Sequence, residues 1–133
     1  MILLDTSFII DLLREKNNAV LKAKELENKD SLATTSINVY ELLLGVYSMK
    51  NINREEKLHE AEILLDKLEI LSLGKTSAKR SAKIGGELTL KGQIIGDTDN
   101  LIAGIALANN INTIVTRDKE HFRRIKDMKV ETY

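Results

Sequence analysis

The sequence predicts an α/β fold in which a parallel sheet is flanked by helices on both faces. Short apolar runs alternate along the chain with longer segments whose apolar residues recur at helical spacing. Strands that alternate with helices pair in parallel, because each helix carries the chain back across the sheet. The 133 residues contain no proline and no linker-like tract, so we expect one domain over residues 1–133.

The first elements follow from apolar patterns and helix-capping residues. Ile2–Leu4 is a short apolar run that leads into Asp5-Thr6-Ser7, whose side chains are typical of helix N-termini. Helical spacing of apolar residues over Phe8–Arg14 then predicts the first helix. The next predicted elements are a helix over Ala19–Asn28, a strand over Leu32–Thr35, and a helix that Ser36 caps and that continues to about Ser48.

The second half of the chain repeats this alternation. Arg54–Leu68 places five apolar residues on one face of a charged helix, and Glu69–Leu73 is the strand that follows it. Thr76–Leu90 is predicted as a helix that the pair Gly85-Gly86 weakens. The last predicted elements are a helix over Asp97–Asn110, a strand over Thr113–Thr116, a short helix over His121–Ile125 and a strand over Lys129–Thr132.

Composition excludes several classes of protein and site. The chain has no cysteine, which excludes disulfides and thiolate metal sites. Its apolar runs are too short to cross a bilayer. The N-terminus lacks the basic segment with which a signal peptide begins. We therefore expect a cytoplasmic protein that has no membrane partner.

The net charge is zero, but its distribution along the chain is uneven. Residues 1–73 carry nine Lys and Arg against thirteen Asp and Glu, whereas residues 74–96 carry five basic residues against Glu87 alone. This basic segment is either a contact for a phosphate backbone or a solvated helix face. Its candidate contacts are Lys79, Arg80 and Lys83. Further along the chain, Arg117 is a candidate either to contact the scissile phosphate or to form a salt bridge with a neighbouring acid.

Four carboxylates fall where the predicted fold gathers side chains at one edge. Asp5 follows the first strand, and Asp118 follows the strand that ends at Thr116. The carboxyl ends of parallel strands share the edge at which open α/β sheets bind ligands. Glu41 and Asp99 lie on helices that would pack beside such junctions. The sequence therefore predicts that these four acids converge.

Glu41 lies in an unusually apolar helix. From Ile37 to Tyr47 only Asn38, Glu41 and Gly45 interrupt the apolar pattern. Together with Ser48 these three residues form one narrow stripe along the helix. A helix that is apolar nearly all round is predicted to be buried on more than one side. The carboxylate therefore either meets solvent along a thin strip or points into a cleft. The three other acids favour the cleft.

Two aspartates, Asp97 and Asp99, begin the helix over Asp97–Asn110. One aspartate at a helix start is explained by capping and by the favourable position of negative charge there. Two such residues are more than a cap requires. We expect Asp97 to be the cap or an outer supporting residue, and Asp99 to belong to the acidic group.

An oxygen-only group of carboxylates is typical of a site for a hard divalent cation, Mg²⁺ or Mn²⁺. Sites of this kind hydrolyse or transfer phosphates. We expect Asp5 and Asp99 to bind the cation directly. Glu41 and Asp118 are expected to bind a second cation or to orient water.

The two histidines are expected to lie outside the chemistry. A cation lowers the pKa of its bound water, so that no histidine base is required. His59, in the charged helix, is predicted to be a surface residue. His121 is predicted to pack or to cap beside Phe122.

These residues resemble the PIN-domain family and, within it, the VapC-type toxins of prokaryotic toxin–antitoxin operons. The matching segments span essentially the whole chain and are Asp5-Thr6-Ser7, Glu41 with Gly45, Asp99 in the pattern D-x-x-I-A-x-x-A, and Thr116-Arg117-Asp118 with Phe122. The resemblance implies a three-layer fold around a sheet of about five parallel strands. It also implies an acidic tetrad that binds Mg²⁺ or Mn²⁺ and cleaves RNA, made of Asp5, Glu41, Asp99 and Asp118 with Thr6, Thr116 and Asp97 in support.

The resemblance also implies partners for the protein. Toxins of this type usually form homodimers, and an antitoxin encoded beside them neutralises the nuclease. A homodimer is expected here for a second reason, since Arg54–Leu68 and the helix ending near Ser48 present more apolar surface than a small monomer easily hides.

Two other functions are compatible with parts of the sequence. Asp97-Thr98-Asp99 is similar to the D-x-D of haloacid-dehalogenase-type phosphotransferases, but it comes late in the chain and after a glycine instead of a strand. The second alternative is a catalytically inert PIN module that acts as a scaffold or binds RNA. Such modules usually lack at least one acid, and all four are present here.

Overall fold

A computed structural model describes residues 1–133, the whole of the sequence, as five strands and seven helices. The strands are β1 (Ile2–Leu4), β2 (Leu32–Thr35), β3 (Glu69–Leu71), β4 (Thr113–Val115) and β5 (Lys129–Glu131). The helices are α1 (Thr6–Leu13), α2 (Asn17–Glu27), α3 (Ser36–Ser48), α4 (Arg54–Leu65), α5 (Lys75–Leu90), α6 (Asp97–Ala108) and α7 (Lys119–Arg123). None of the helices has the length and apolar composition needed to cross a membrane.

The five strands form one parallel sheet with β1 at its centre. Their order is β3-β2-β1-β4-β5, and every neighbouring pair is parallel. The chain first builds outward from β1 through β2 and β3, and it later returns to the other side of β1 with β4 and β5. This change of direction creates a crevice at the carboxyl end of β1. The predicted α/β fold with a parallel sheet is confirmed.

Helices cover both faces of the sheet and form three layers with it. Leu3 of β1 packs on one side with apolar residues of α5, α6 and α7. Its neighbours Ile2 and Leu4 point to the opposite side and pack with residues of α1, α2 and α4. Each side has a fully enclosed aromatic ring, Phe8 on one and Phe122 on the other. Alternation along β1 therefore ties both apolar layers to the strand that leads into Asp5.

Helices α5 and α6 approach each other closely at Gly104. A Cβ atom at this position would lie 1.8 Å from Ser81 Oγ and 2.7 Å from Ser81 Cα, so only hydrogen fits there. Gly85 faces Asn100 across the same contact, where a Cβ atom would lie 3.3 Å from the amide nitrogen. The predicted weak point at Gly85-Gly86 does not interrupt α5, because Gly85 serves this contact and the helix runs unbroken from Lys75 to Leu90.

Several predicted boundaries were wrong. Thr35 and not Ser36 caps α3, since the Thr35 hydroxyl accepts the N–H of Asn38 at 3.2 Å. Helix α4 ends at Leu65 and not at Leu68. After Leu65 the N–H groups of Lys67 and Leu68 bond to the carbonyls three residues back, which is the tighter 3₁₀ pattern. Strands β3 and β4 are two residues and one residue shorter than predicted. Thr116 consequently lies just beyond β4, in the loop at the carboxyl edge of the sheet.

Candidate metal centre

Asp5 lies in the crevice at the end of β1 and is almost completely enclosed. Its residue is 7% exposed. One carboxylate oxygen accepts a hydrogen bond from Asn38 Nδ2 at 3.2 Å, and the other accepts from the Thr116 hydroxyl at 2.7 Å. These donors follow β2 and β4, the two neighbours of β1. The parallel topology therefore holds Asp5 from both sides.

Asn38 is fully buried and uses its whole side-chain amide. The nitrogen donates to Asp5 and to Thr6 Oγ1, the latter at 3.0 Å. The oxygen accepts from the N–H of Thr35 at 3.1 Å and from the Thr35 hydroxyl at 2.7 Å. Reversing the amide would place donor against donor, so its orientation is determined by these partners. The sequence did not single out Asn38 as a site residue, although its spacing from Glu41 was the available signal.

Glu41 lies one turn after Asn38 and is half-buried. The Thr6 hydroxyl donates to Glu41 Oε1 at 2.8 Å, so Asn38 and Glu41, the first half of the predicted polar stripe of α3, face the crevice. Gly45 instead lines a groove beside α1 and α4. Helix α3 packs against α1, α4 and α6, so the prediction that it is buried on more than one side holds for part of its surface. Tyr40 and Tyr47 are 61% and 60% exposed on the opposite side, because no other element covers the helix there.

The loop after β4 is held by a second set of hydroxyl groups. The Thr116 hydroxyl donates its proton to Asp5 and accepts the N–H of Asp118 at 3.0 Å. Ser7 is therefore the donor in its 3.2 Å contact with Thr116 Oγ1. The Ser7 oxygen also accepts the N–H of Arg117 at 3.1 Å. Ser7 was not predicted to belong to the site, since its sequence context indicated only a helix start.

Arg117 is turned away from this group and binds another acid. Its Nη1 lies 3.2 and 3.3 Å from the two oxygens of Asp11, which is buried and also contacts Lys16 and the Tyr133 hydroxyl. Burial raises the pKa of Asp11, but the hydrogen bonds from Tyr133 and Lys16 and the charge of Arg117 outweigh it and hold the pKa below its ordinary value. Of the two predicted roles of Arg117, the salt bridge is present, and the phosphate contact stays a prediction.

Asp99 lies in the first turn of α6, but Asp97 does not cap that helix. The N-cap is Gly96, and Asp97 is the first helical residue, with an exposed side chain that makes no hydrogen bond. Asp97 is not the cap, because the helix starts one residue earlier than a cap at Asp97 requires, and its role as an outer supporting residue stays a prediction. Asp97 also follows a loop and not a strand, so the structure lacks the arrangement that a D-x-D phosphotransferase needs.

His121 joins the acidic group, contrary to the prediction from sequence. Its Nδ1 lies 2.7 Å from Asp99 Oδ2 and 3.5 Å from Asp118 Oδ2. The neighbouring Phe122 points into the core, and consecutive side chains on a helix diverge, so His121 does not pack beside it. His59 is exposed on α4, as predicted.

Negative charge converges at this site without a cationic side chain to balance it. No lysine or arginine forms a salt bridge with Asp5, Glu41, Asp99 or Asp118. Burial raises the pKa of Asp5 from 3.8 to about 6, and the charges of Asp99 and Glu41 add to this against the hydrogen bonds from Thr116 and the Thr6 backbone. Asp99, Asp118 and His121 offer ligand atoms within 4.8 Å of one another. The charge and the donor types fit a divalent cation.

Asp5→Asn should stabilise the metal-free protein in a pH-dependent way. An acid whose pKa is raised by folding contributes stability that is complete below its unfolded pKa, near 3.8, and is lost as the pH rises through about 6. In chelator at pH 7.5 we expect a gain in the free energy of unfolding of up to about 3 kcal/mol, from about 1.4 kcal/mol per pKa unit. At pH 4 the gain should fall to about 0.5 kcal/mol, because pH 4 is close to the unfolded pKa and far below the folded one.

Urea unfolding of both proteins at the two pH values measures this difference. Asp66→Asn, at an exposed carboxylate just after α4, serves as the matched control and should gain less than about 1 kcal/mol at pH 7.5, from the helix dipole alone. An equal gain from Asp5→Asn at both pH values would contradict the prediction.

Comparison with known proteins shows likeness in both sequence and fold. The sequence profile of the PIN domain family matches residues 2–128. Ribonuclease VapC2 of Rickettsia felis is 31% identical over 132 residues, which cover 98% of this chain and 96% of that protein. The tRNA(fMet)-specific endonuclease VapC of Salmonella typhimurium is 28% identical over 131 residues, with the same two coverages. VapBC2 from Rickettsia felis, solved bound to a DNA fragment from its promoter, contains a similar chain with a TM-score of 0.89 and 30% identity, covering 100% of this chain and 99% of that one.

Proposed function

This chain belongs to the PIN domain family, and we propose that it is a metal-dependent endoribonuclease of the VapC type. The observation that carries the proposal is the convergence of Asp5, Glu41, Asp99 and Asp118 at the carboxyl edge of the sheet with no lysine or arginine to balance them. Full-length likeness to proteins named as VapC ribonucleases supports RNA as the substrate. The expected location is the cytoplasm.

Mg²⁺ or Mn²⁺ is the proposed cofactor, because the four acids offer hard oxygen donors. Asp5 and Asp99 are assigned as direct ligands, and Glu41 and Asp118 as ligands of a second ion or as residues that orient water. When bound, the cation acts as a Lewis acid on the phosphate and makes a coordinated water more acidic.

The surrounding residues prepare these ligands by hydrogen bonding. Asp5 accepts a hydrogen bond from Asn38 on one oxygen and from Thr116 on the other. Ser7 Oγ also lies 3.4 Å from this second oxygen, so these donors orient the carboxylate that would bind the cation. Thr6 binds one oxygen of Glu41 in the same way. Because these donors are themselves fixed by the strand ends, the carboxylates need little reorganisation when the substrate arrives. Asp118, whose side chain is 53% exposed, is accessible to water at the mouth of the site.

Asp5→Asn or Asp99→Asn should reduce metal-dependent RNA cleavage by about a hundredfold or more, because each removes a charged ligand. Single-turnover cleavage of RNA with Mg²⁺ measures the loss, and His59→Ala is the control that should keep full rate. Full activity in either variant with unchanged metal affinity would show that the site is assigned wrongly. Wild-type protein that cleaves no RNA at any metal concentration would favour the inert PIN module, and hydrolysis of phosphomonoesters alone would favour a phosphotransferase.

RNA is proposed to run from the acidic pocket onto the basic side of α5. An acidic pocket repels a polyanion, so neighbouring cations have to attract it. Lys79 and Lys83 are exposed and form no salt bridge, whereas Arg80 lies 3.5 Å from Asp127. Arg80 and Lys83 also line a groove that has five cations against two acids. The other cations are Lys91, Arg124 and Lys126, and the acids are Glu87 and Asp127. The groove therefore extends the basic segment predicted from sequence across to the residues that follow α7.

Replacing Lys79, Arg80 and Lys83 together with alanine should raise KM and leave kcat nearly unchanged. The slope of log affinity against log salt should fall by about 2, at about 0.7 for each lost phosphate contact with a single strand. Cleavage kinetics at several salt concentrations measure both effects. The matched control removes three exposed lysines from the opposite side of the sheet, Lys24, Lys57 and Lys67. Equal kinetics for the two triple variants would mean that the basic segment is only a solvated helix face.

The protein is also proposed to form a homodimer and to pair with an antitoxin, as its likeness to VapC proteins suggests. The apolar side chains exposed on α3 are Tyr40, Leu44 and Tyr47, the middle one 49% exposed. They recur at spacings of four and three and so form one stripe, which a second copy of the chain would cover. The reading frame beside the gene is where an antitoxin would be encoded.

Tyr47→Arg should convert the dimer to a monomer, since a charge in the centre of an apolar contact is left unpaired. Sedimentation equilibrium at micromolar concentration measures the change. Leu90→Arg, at a side chain that is 91% exposed on α5, is the matched control and should remain dimeric. If the wild-type protein sediments only as a monomer, the proposed homodimer is wrong.

A further inference from the structure

We propose that His121 is a nitrogen ligand of the metal site and that it makes the site favour Mn²⁺ over Mg²⁺. The inference rests on the proposed metal-dependent function and adds a residue outside the group of four acids. It starts from the position of the imidazole ring between two of those acids, Asp99 and Asp118.

The 3.5 Å separation of His121 Nδ1 from Asp118 Oδ2 suits two ligands of one ion, and the 2.7 Å separation from Asp99 Oδ2 is a hydrogen-bond distance that has to lengthen by a few tenths of an ångström when an ion binds. Two ligands of one ion lie about 3.0–3.5 Å apart when the bonds are about 2.1 Å long and the angles are near 90–110°. All three ligand atoms lie within 4.8 Å of one another, so small rotations of the side chains bring them to one centre.

The local structure fixes His121 in this position. Asp118 is the residue before α7 and His121 is its third residue, so the two lie on one face of that turn. Phe122, 1% exposed, anchors the helix in the core. The His121 side chain is 39% exposed and that of Asp99 is 21% exposed. The ring is therefore held by the backbone and yet remains accessible to an ion from solvent.

The chemistry of imidazole determines which ions gain from this ligand. Mg²⁺ prefers oxygen ligands in an octahedral arrangement, whereas transition metals bind imidazole well. Affinity for nitrogen-containing sites rises from Mn²⁺ to Co²⁺ and Ni²⁺. Oxygen sites follow the same order, but an imidazole nitrogen favours the transition metals over Mg²⁺ further. With His121 as a ligand, the ratio of transition-metal affinity to Mg²⁺ affinity should rise along the series.

A hydrogen bond from His121 to Asp99, without any metal contact, is the competing role. Both roles place the ring beside the acid, and both predict some loss of cleavage in His121→Ala. Cleavage rates therefore do not separate them. A direct measurement of nitrogen at the metal does, and it is simplified because His59 is the only other histidine.

Pulsed electron paramagnetic resonance of the full-length protein loaded with Mn²⁺ is the decisive experiment. Wild type and His59→Ala should show a ¹⁴N coupling from directly bound imidazole, and His121→Ala should lose it. In parallel, calorimetric titration of His121→Ala should show Mn²⁺ affinity reduced by about tenfold or more and Mg²⁺ affinity reduced by less than about threefold.

The outcomes separate this inference from the proposed function. Wild-type protein that binds Mn²⁺ without ¹⁴N coupling, or equal losses of Mn²⁺ and Mg²⁺ affinity in His121→Ala, would overturn the role of His121 and leave the nuclease intact. Wild-type protein that binds neither ion and shows no metal-dependent cleavage would overturn the proposed function itself.

Discussion

The structure depends on keeping a buried carboxylate, Asp5, in place among other acids. Burial and the charges of Asp99 and Glu41 both disfavour the ionised form of Asp5. The fold opposes them with hydrogen bonds from the chains that leave β2 and β4. These donors can reach Asp5 only because β1 lies between those strands in a parallel sheet. The apolar layers on the two faces supply the stability that offsets this concentration of charge.

Much of this arrangement was predictable from local patterns. Apolar runs and helical spacing predicted the alternation of strands and helices, and topology then placed Asp5 and the residues after Val115 at one edge. The hydrogen-bonding partners of the acids were not predictable in the same way. Asn38 and Ser7 are explained locally as part of an apolar helix and a helix start, and only the packed structure shows what their polar atoms reach. The sequence also placed His121 beside Phe122, although the two side chains leave α7 in different directions.

The contact between α5 and α6 links the two halves of the proposed site. Because Gly104 allows the backbones to touch at Ser81, α5 cannot shift along α6 without a clash. Asp99 lies at the start of α6, and the basic segment lies on α5. The surface proposed to hold RNA therefore keeps a constant distance from the proposed metal ligand, which favours cleavage at a defined position along a bound strand.

The shared use of Asn38 restricts how this sequence can diverge. Aspartate, serine or threonine could satisfy the start of α3 as well as asparagine does, since all of them accept hydrogen bonds from the backbone. None can also donate from a second atom to Asp5 and Thr6 while accepting from Thr35, and an aspartate would add another negative charge beside Asp5. Drift at positions 35 and 38 is therefore coupled to drift at positions 5 and 6, although these positions are about thirty residues apart in the chain. The helix-capping pair Thr35 and Asn38 is therefore also part of the site. In proteins that keep the four acids, we expect positions 5, 6, 35 and 38 to change together or not at all.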